Sequence, residues 1–217
     1  MKLKTAAKLS ITSVSLALLL PAFSVAQSTV NSQPSQNVQS TSAALAGQQE
    51  AAEMVPAQAA LVDNLDAKKV QPGGQFKAKL SGKVRLRNGL ELPSGTMLIG
   101  SVATDDMQVA GTSKLALRFS QAQLKNGQVI PIKATIVGVL PSESSDPEYG
   151  VTPIDAGDRA QTGWNNGTLQ VDQIDALSGV DLHSKIASEN SGVFAATRKN
   201  DVRLLKGSEI ELAIAGI

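Results

Sequence analysis

The stretch "RNGLELPSGTMLIG", residues 87–100, holds two turn signals a few residues apart. Asn88-Gly89 is the strongest short hairpin signal, because both residues tolerate positive φ. Pro93-Ser94-Gly95 makes a second turn, and Leu90, Leu92, Met97, Leu98 and Ile99 around these turns require burial. Upstream, "GQFKAKLSGKVRLR" alternates: Phe76, Ala78 and Leu80 share one face, and Lys77, Lys79 and Ser81 the other. After Gly82, Val84 and Leu86 alternate with Lys83, Arg85 and Arg87. Downstream, "TMLIGSVA" reads as a fuller apolar strand and "TDDMQVAGTS" as a loop. In "KLALRFSQAQL", Leu115, Leu117 and Phe119 alternate with Lys114, Ala116 and Arg118, and Asn126-Gly127 turns the chain into "QVIPIKATIVGVL". The last segment echoes the first, since Leu204-x-x-Gly207-Ser208 repeats Leu92-x-x-Gly95-Thr96. Short strands with turn signals every ten or so residues predict an all-β fold, an antiparallel meander closing into a barrel or sandwich over 63–217.

The ends of the chain have a different character. Lys2, Lys4 and Lys8 precede an apolar run from Ile11 to Leu20, and Ser24-Val25-Ala26 supplies small residues at cleavage offsets. Residues 1–26 therefore read as a cleaved signal peptide, with an apolar run well short of the ~20 residues a spanning helix needs. Export to the periplasm or beyond is the implied localisation, without an integral membrane segment once the signal is removed. Residues 27–62 are rich in Gln, Ser and Ala and read as a flexible tether, with a short helix around Ala43 to Met54.

Charge and composition exclude several functions. Three of the 20 Lys+Arg and none of the 19 Asp+Glu lie in 1–26, so the chain from residue 27 carries a net charge of −2. That is no electrostatic footprint for nucleic acid. The run Lys68, Lys69, Lys77, Lys79, Lys83, Arg85 and Arg87 alternates with apolar residues, which makes it the wet face of a sheet with an option of anionic-polymer binding. With no cysteine, disulfides, thiolate catalysis and Cys-based metal sites are excluded.

Residues 141–191 break the regular pattern and predict an irregular excursion. Within it, Leu169, Val171 and Gln173 alternate like a strand, and Ile174 to Leu182 reads as a short helix. Trp164 lies on a Gly/Asn-rich stretch; it either anchors its loop or, with Asn165 and Tyr149, contacts a partner or ligand. His183 is the sole histidine, and neither a nucleophile elbow nor an oxyanion-type Gly pattern surrounds a serine. It reads as a surface or hydrogen-bonded structural residue. Asp105-Asp106, Glu143/Asp146/Glu148, Asp155/Asp158 and Asp172/Asp175/Asp181 are carboxylates from which an acid–base pair or a weak calcium site could be drawn. No calcium-loop spacing occurs, and aromatics that line glycan clefts are scarce. Solvated loop carboxylates are the plainer reading, with no catalytic, cofactor or metal residues assigned.

"VRLRNGLELPSGTMLIGSV" and "KLALRFSQAQLKNGQVIPIKA" resemble the carboxy-terminal barrel of the TrbI-like family, envelope scaffold proteins of type IV secretion and conjugation systems. Leu92, Pro93, Gly95, Thr96, Leu98 and Gly100 match that family's Ile-Pro-x-Gly-[ST]-x-Leu-x-Gly group. Leu117, Phe119, Leu124, Asn126, Gly127 and Ile130 match its next strand and hairpin, and "VRLLKGSEIELAIAG" its closing strand. Where that family has an inner-membrane helix and a Pro-rich linker, this chain reads as a signal peptide and a short Gln/Ser/Ala tether, and the excursion is too polar to match the family's outer-membrane helical pair. The resemblance implies a related barrel that works by assembly, without the complete channel role and without catalytic residues. The expected function is that of an exported, non-enzymatic envelope protein binding a protein partner or itself. The alternatives are a carbohydrate-active hydrolase using two loop carboxylates and a small-ligand or glycan carrier using the barrel mouth near Trp164.

Overall fold

The computed structural model describes residues 49–142, 170–186, 188–196 and 200–217. The expected signal, most of the expected tether, and Tyr149, Trp164 and Asn165 lie outside the described residues. In chain order the strands are β1 (Val55–Leu61), β2 (Leu65–Asp66), β3 (Gln75–Leu80), β4 (Val84–Arg85), β5 (Glu91–Leu92) and β6 (Met97–Ala103). They continue with β7 (Ser113–Gln123), β8 (Val129–Leu140), β9 (Gln170–Leu177), β10 (Val180–Lys185), β11 (Gly192–Ala196), β12 (Arg203–Leu204) and β13 (Glu209–Gly216).

The sheet runs β6-β3-β1-β13-β8-β7, and β6 pairs β7 to close a six-stranded antiparallel barrel. Alternation places Phe76, Ala78 and Leu80 inside, as expected, beside Leu98, Leu115, Leu117, Ile132, Ile136, Ile210, Leu212 and Ile214. Each such Leu, Ile or Phe side chain contributes ~1.5–3 kcal/mol on burial. β1 lies within 27–62, expected as tether, and is a barrel strand between β13 and β3. Its run of small residues hid a period-two pattern in which Ala57, Ala59 and Leu61 are buried. The described part of the excursion from residue 170 also holds two strands, β9 and β10. Ile174 to Leu182 is no helix but the end of β9, the Ser178-Gly179 turn with Gly179 at φ +70°, and the start of β10.

Both Asn-Gly pairs turn hairpins, although not with positive φ at both residues. Only the glycines are left-handed, Gly89 and Gly127 each at φ +86°. The amide of Gly127 donates to the carbonyl of Leu124 at 3.0 Å, and the Leu124 amide to the carbonyl of Gln128 at 2.8 Å. Asn126 Oδ1 accepts from the Gln128 amide at 3.0 Å, and Asn88 Oδ1 accepts from Leu90 in the same way at 3.1 Å. This is the three-residue hairpin loop with a left-handed glycine, in which the Asn side chain braces the turn.

A second turn type starts β3, β6 and β13. At Gly95 (φ +81°) the amide donates to the carbonyl of Leu80 at 2.8 Å, the last residue of β3. The Leu80 amide returns a bond to the Thr96 carbonyl at 2.9 Å, and the Thr96 amide closes the turn on Pro93 at 3.1 Å. Gly207 (φ +84°) repeats the pattern with Leu61, Ser208 and Leu205, which is the structural content of the Leu-x-x-Gly-[ST] echo. Gly73 (φ +87°) repeats it again with Val102, Gly74 and Gln71. Each turn thus pins the start of one strand to the end of its antiparallel neighbour.

Strands β11, β10 and β9 extend from the β7 edge as a three-stranded flap. Ile186 of the flap and Met54 pack on the outward-facing Val137, Ala213 and Ala215, with Val171 of β9 at the margin of this second apolar cluster. Among the described residues no helix is long and apolar enough to cross a membrane.

Candidate functional site

Where the flap meets the barrel, β7 and β8 diverge. Their pairing covers only Gln121 to Gln123 against Val129 to Pro131. Beyond that point Ser191 enters the gap, and the amide of Ser191 donates to the Leu117 carbonyl at 2.7 Å. The Ile136 amide donates to the Ser191 carbonyl at 2.7 Å, and the Phe119 amide to Ser191 Oγ at 2.9 Å. Ser184 Oγ donates to the Ile136 carbonyl. Two buried serines therefore complete a wall whose own ladder has opened, as buried backbone groups require.

Outside this seam lies a groove of about 510 Å³ between the β9–β10 hairpin and the 104–112 loop. Asp106, Met107, Gln170, Asp172, His183 and Ser188 are among its lining residues. His183 and Asp172 are cross-strand partners, and His183 Nδ1 lies 2.8 Å from Asp172 Oδ1. That hydrogen bond, assisted by Gln170 and by the imidazole's charge, holds the Asp172 carboxyl below the ordinary aspartate range against a smaller opposing effect of burial.

The opposite wall is tied rather than free. Asp106 accepts hydrogen bonds from Ser188 Oγ at 2.9 Å and from the Glu189 amide at 2.8 Å. Asn190 accepts from the Asp106 amide at 3.0 Å and donates to the Thr104 carbonyl at 3.0 Å. Asp105 pairs with Lys114 at 2.9 Å. Asp181 accepts from the Asp175 amide at 2.9 Å, and Asp175 accepts from the Gly179 amide at 3.2 Å, so both build the hairpin turn.

No protein-family model matches the chain, and no curated protein does either. Among solved structures, the chain is similar to ComB10 of the Com type IV secretion system of Helicobacter pylori, at 10% identity and a TM-score of 0.32. The similarity covers 74% of this chain and 83% of that one.

Chemically, the His183–Asp172 pair can orient an imidazole. Among the described residues, however, no serine hydroxyl is hydrogen-bonded to that ring: Ser184 serves the seam and Ser188 serves Asp106. No group of three or more His, Cys, Asp or Glu side chains among the described residues could hold a metal ion. The sequence pointed to His183, Asp172 and Asp106 individually. Their sharing of one groove follows from strand register, and the roles of Ser184, Ser191 and Asn190 were missed because nothing local marks a serine that bridges two diverging strands. Of the carboxylates named from sequence, Glu143, Asp146, Glu148, Asp155 and Asp158 lie outside the described residues.

Proposed function

We propose that the chain is an exported, non-enzymatic envelope protein that acts by binding or assembly, as the sequence resemblance to TrbI-like barrels implies. The observation that carries this reading is the outer strand of the flap. On its far side β9 pairs with no other strand among the described residues, and Ile174 on it is 79% exposed. An open strand edge with a large exposed aliphatic residue is a template for pairing with another chain. The reading is further supported by the polar groups around the groove, most of which are engaged in holding strands together. The partner is an envelope protein or a second copy.

Cross-linking from Cys placed at the exposed Ser178, beside β9, followed by recovery from envelope fractions, tests the proposal. A discrete adduct that Ile174→Glu abolishes supports it. An uncross-linked monomer in every fraction sinks it. The carbohydrate-hydrolase alternative is tested separately by replacing Asp105, Asp155, Asp158, Asp172 and Asp175 one at a time with Asn. Loss of a measured glycan hydrolysis would replace the scaffold reading.

A further inference from the structure

The barrel's charge is unevenly distributed. Four contiguous strands, β3, β6, β7 and β8, contain no Asp or Glu, and the chain from Met107 to Ser142 has none. Cations on this wall that are neutralised draw acids from outside it: Lys114 pairs with Asp105, Arg118 with Glu189 and Lys133 with Glu50. Nearby, Glu91 is already paired with Lys83. Lys77, Lys79 and Lys125 have no ion pair among the described residues, and all three are exposed.

Lys79 and Lys125 also converge. A methyl group built on Gly95 would lie 3.5 Å from Lys79 Cε, 3.2 Å from Lys125 Cε and 3.6 Å from Lys125 Nζ. One lysine comes from β3 and the other from the β7–β8 turn, and both fold over the same glycine. Between them, in register across the outer surface, stand Met97 of β6 and Gln123 of β7. The next row is Lys77, Ile99 and Gln121. Two ammonium groups sharing one space repel each other unless an anion lies between them. A single carboxylate neutralises one of them. A phosphate monoester, with a charge of about −1.5 to −2 near neutral pH, neutralises both, and lysine binds phosphate as a compact point charge.

We propose that Lys79 and Lys125, converging above Gly95 with Lys77 beside them, form a binding site for a phosphate-monoester group. The group is either free or borne on a lipid headgroup. Side-chain amides of Gln121 and Gln123 add neutral donors on the same face.

The test titrates the full chain with inorganic phosphate, following the amide resonances of Ser94, Gly95 and Lys125, with acetate at matched ionic strength as reference. In parallel, sedimentation is measured with phosphatidylcholine vesicles with and without phosphatidic acid. Saturable phosphate shifts that acetate does not reproduce are expected. They weaken by at least about tenfold in K79Q/K125Q, persist in K206Q and return in K79R/K125R. Vesicle binding that needs phosphatidic acid and is lost in K79Q/K125Q identifies a lipid headgroup. Phosphate shifts with indifferent vesicles identify a soluble phosphate. Equal responses to phosphate and acetate, or unchanged binding by K79Q/K125Q, overturn the proposal. A thermal melt of K79Q/K125Q matching the parent's confirms that charge, not folding, was tested.

Discussion

Ser191 Oγ accepts a hydrogen bond at 2.9 Å from the amide of Phe119, a strand residue 72 positions earlier in the chain. Around it the Ser191 backbone reaches Leu117 on one side and Ile136 on the other. The barrel is thus closed at this seam by a residue from the flap rather than by its own neighbouring strands. Replacing Ser191 with Ala leaves the buried Phe119 amide without its acceptor. An unfolding free-energy loss of about 1–3 kcal/mol is expected, read from denaturant midpoints at constant m-value. A loss within a few tenths of zero would show that the hydroxyl does not hold the seam.

Gly100 faces Phe76 on β3 and Phe119 on β7, whose rings meet edge to face with centroids 5.0 Å apart. A Cβ on Gly100 would lie 2.4 Å from Phe76 Cζ and 2.8 Å from the Arg118 carbonyl oxygen. The ring could swing, but the backbone oxygen cannot without disturbing the bulge between Ile99 and Gly100. Gly100→Ala is expected to destabilise by at least about 1–3 kcal/mol. A melting temperature equal to the parent's would refute the close approach.

The left-handed glycines are not equivalent. Gly127 has no atom within 4 Å of a built Cβ, whereas at Gly207 the Ser142 Oγ would lie at 3.0 Å. Alanine at Gly127 should cost only the left-handed strain, about 1–2 kcal/mol. At Gly207 it should cost measurably more, because the same strain is joined by contact with Ser142. Paired chemical denaturation of the two variants measures the difference, and the reverse order would contradict it.

The Asp172 carboxyl is held below its ordinary range by His183, so its folded-state pKa is depressed relative to the unfolded chain. The sign follows: this contribution is present above the unfolded-state aspartate pKa and disappears as pH falls through the lower folded value. With the Asp172 side chain 58% exposed, solvent screening keeps it under ~1 kcal/mol. Asp172→Asn should therefore melt slightly below the parent at mildly acidic pH. That gap should shrink with added salt and vanish once the pH is well below the aspartate range. A gap that widens on acidification would reverse the assigned cause.

Local chemistry determined much of this protein on its own. Alternation assigned the inner faces of β3 and β7, because a strand's side chains have period two and one face must be dry. Asn-Gly and the Leu-x-x-Gly-[ST] groups marked where the chain reverses, because left-handed φ is inexpensive only at glycine. The same logic would have found the Gln71-Pro72-Gly73-Gly74 turn, the third copy of the docked turn. β1 was harder to read because Ala57 and Ala59 carry too little apolar surface for their alternation to stand out.

Tertiary structure decided the rest. Closure of the barrel depends on β6 meeting β7, and completion of its wall on Ser191 and Ser184 reaching across a gap from distant sequence. The groove brings His183 to Asp172 by strand register, and the Gly95 turn brings Lys79 to Lys125. Contacts of that kind join residues far apart in the chain, and each is specified by how whole strands pair and coil rather than by any local pattern that a window of sequence contains.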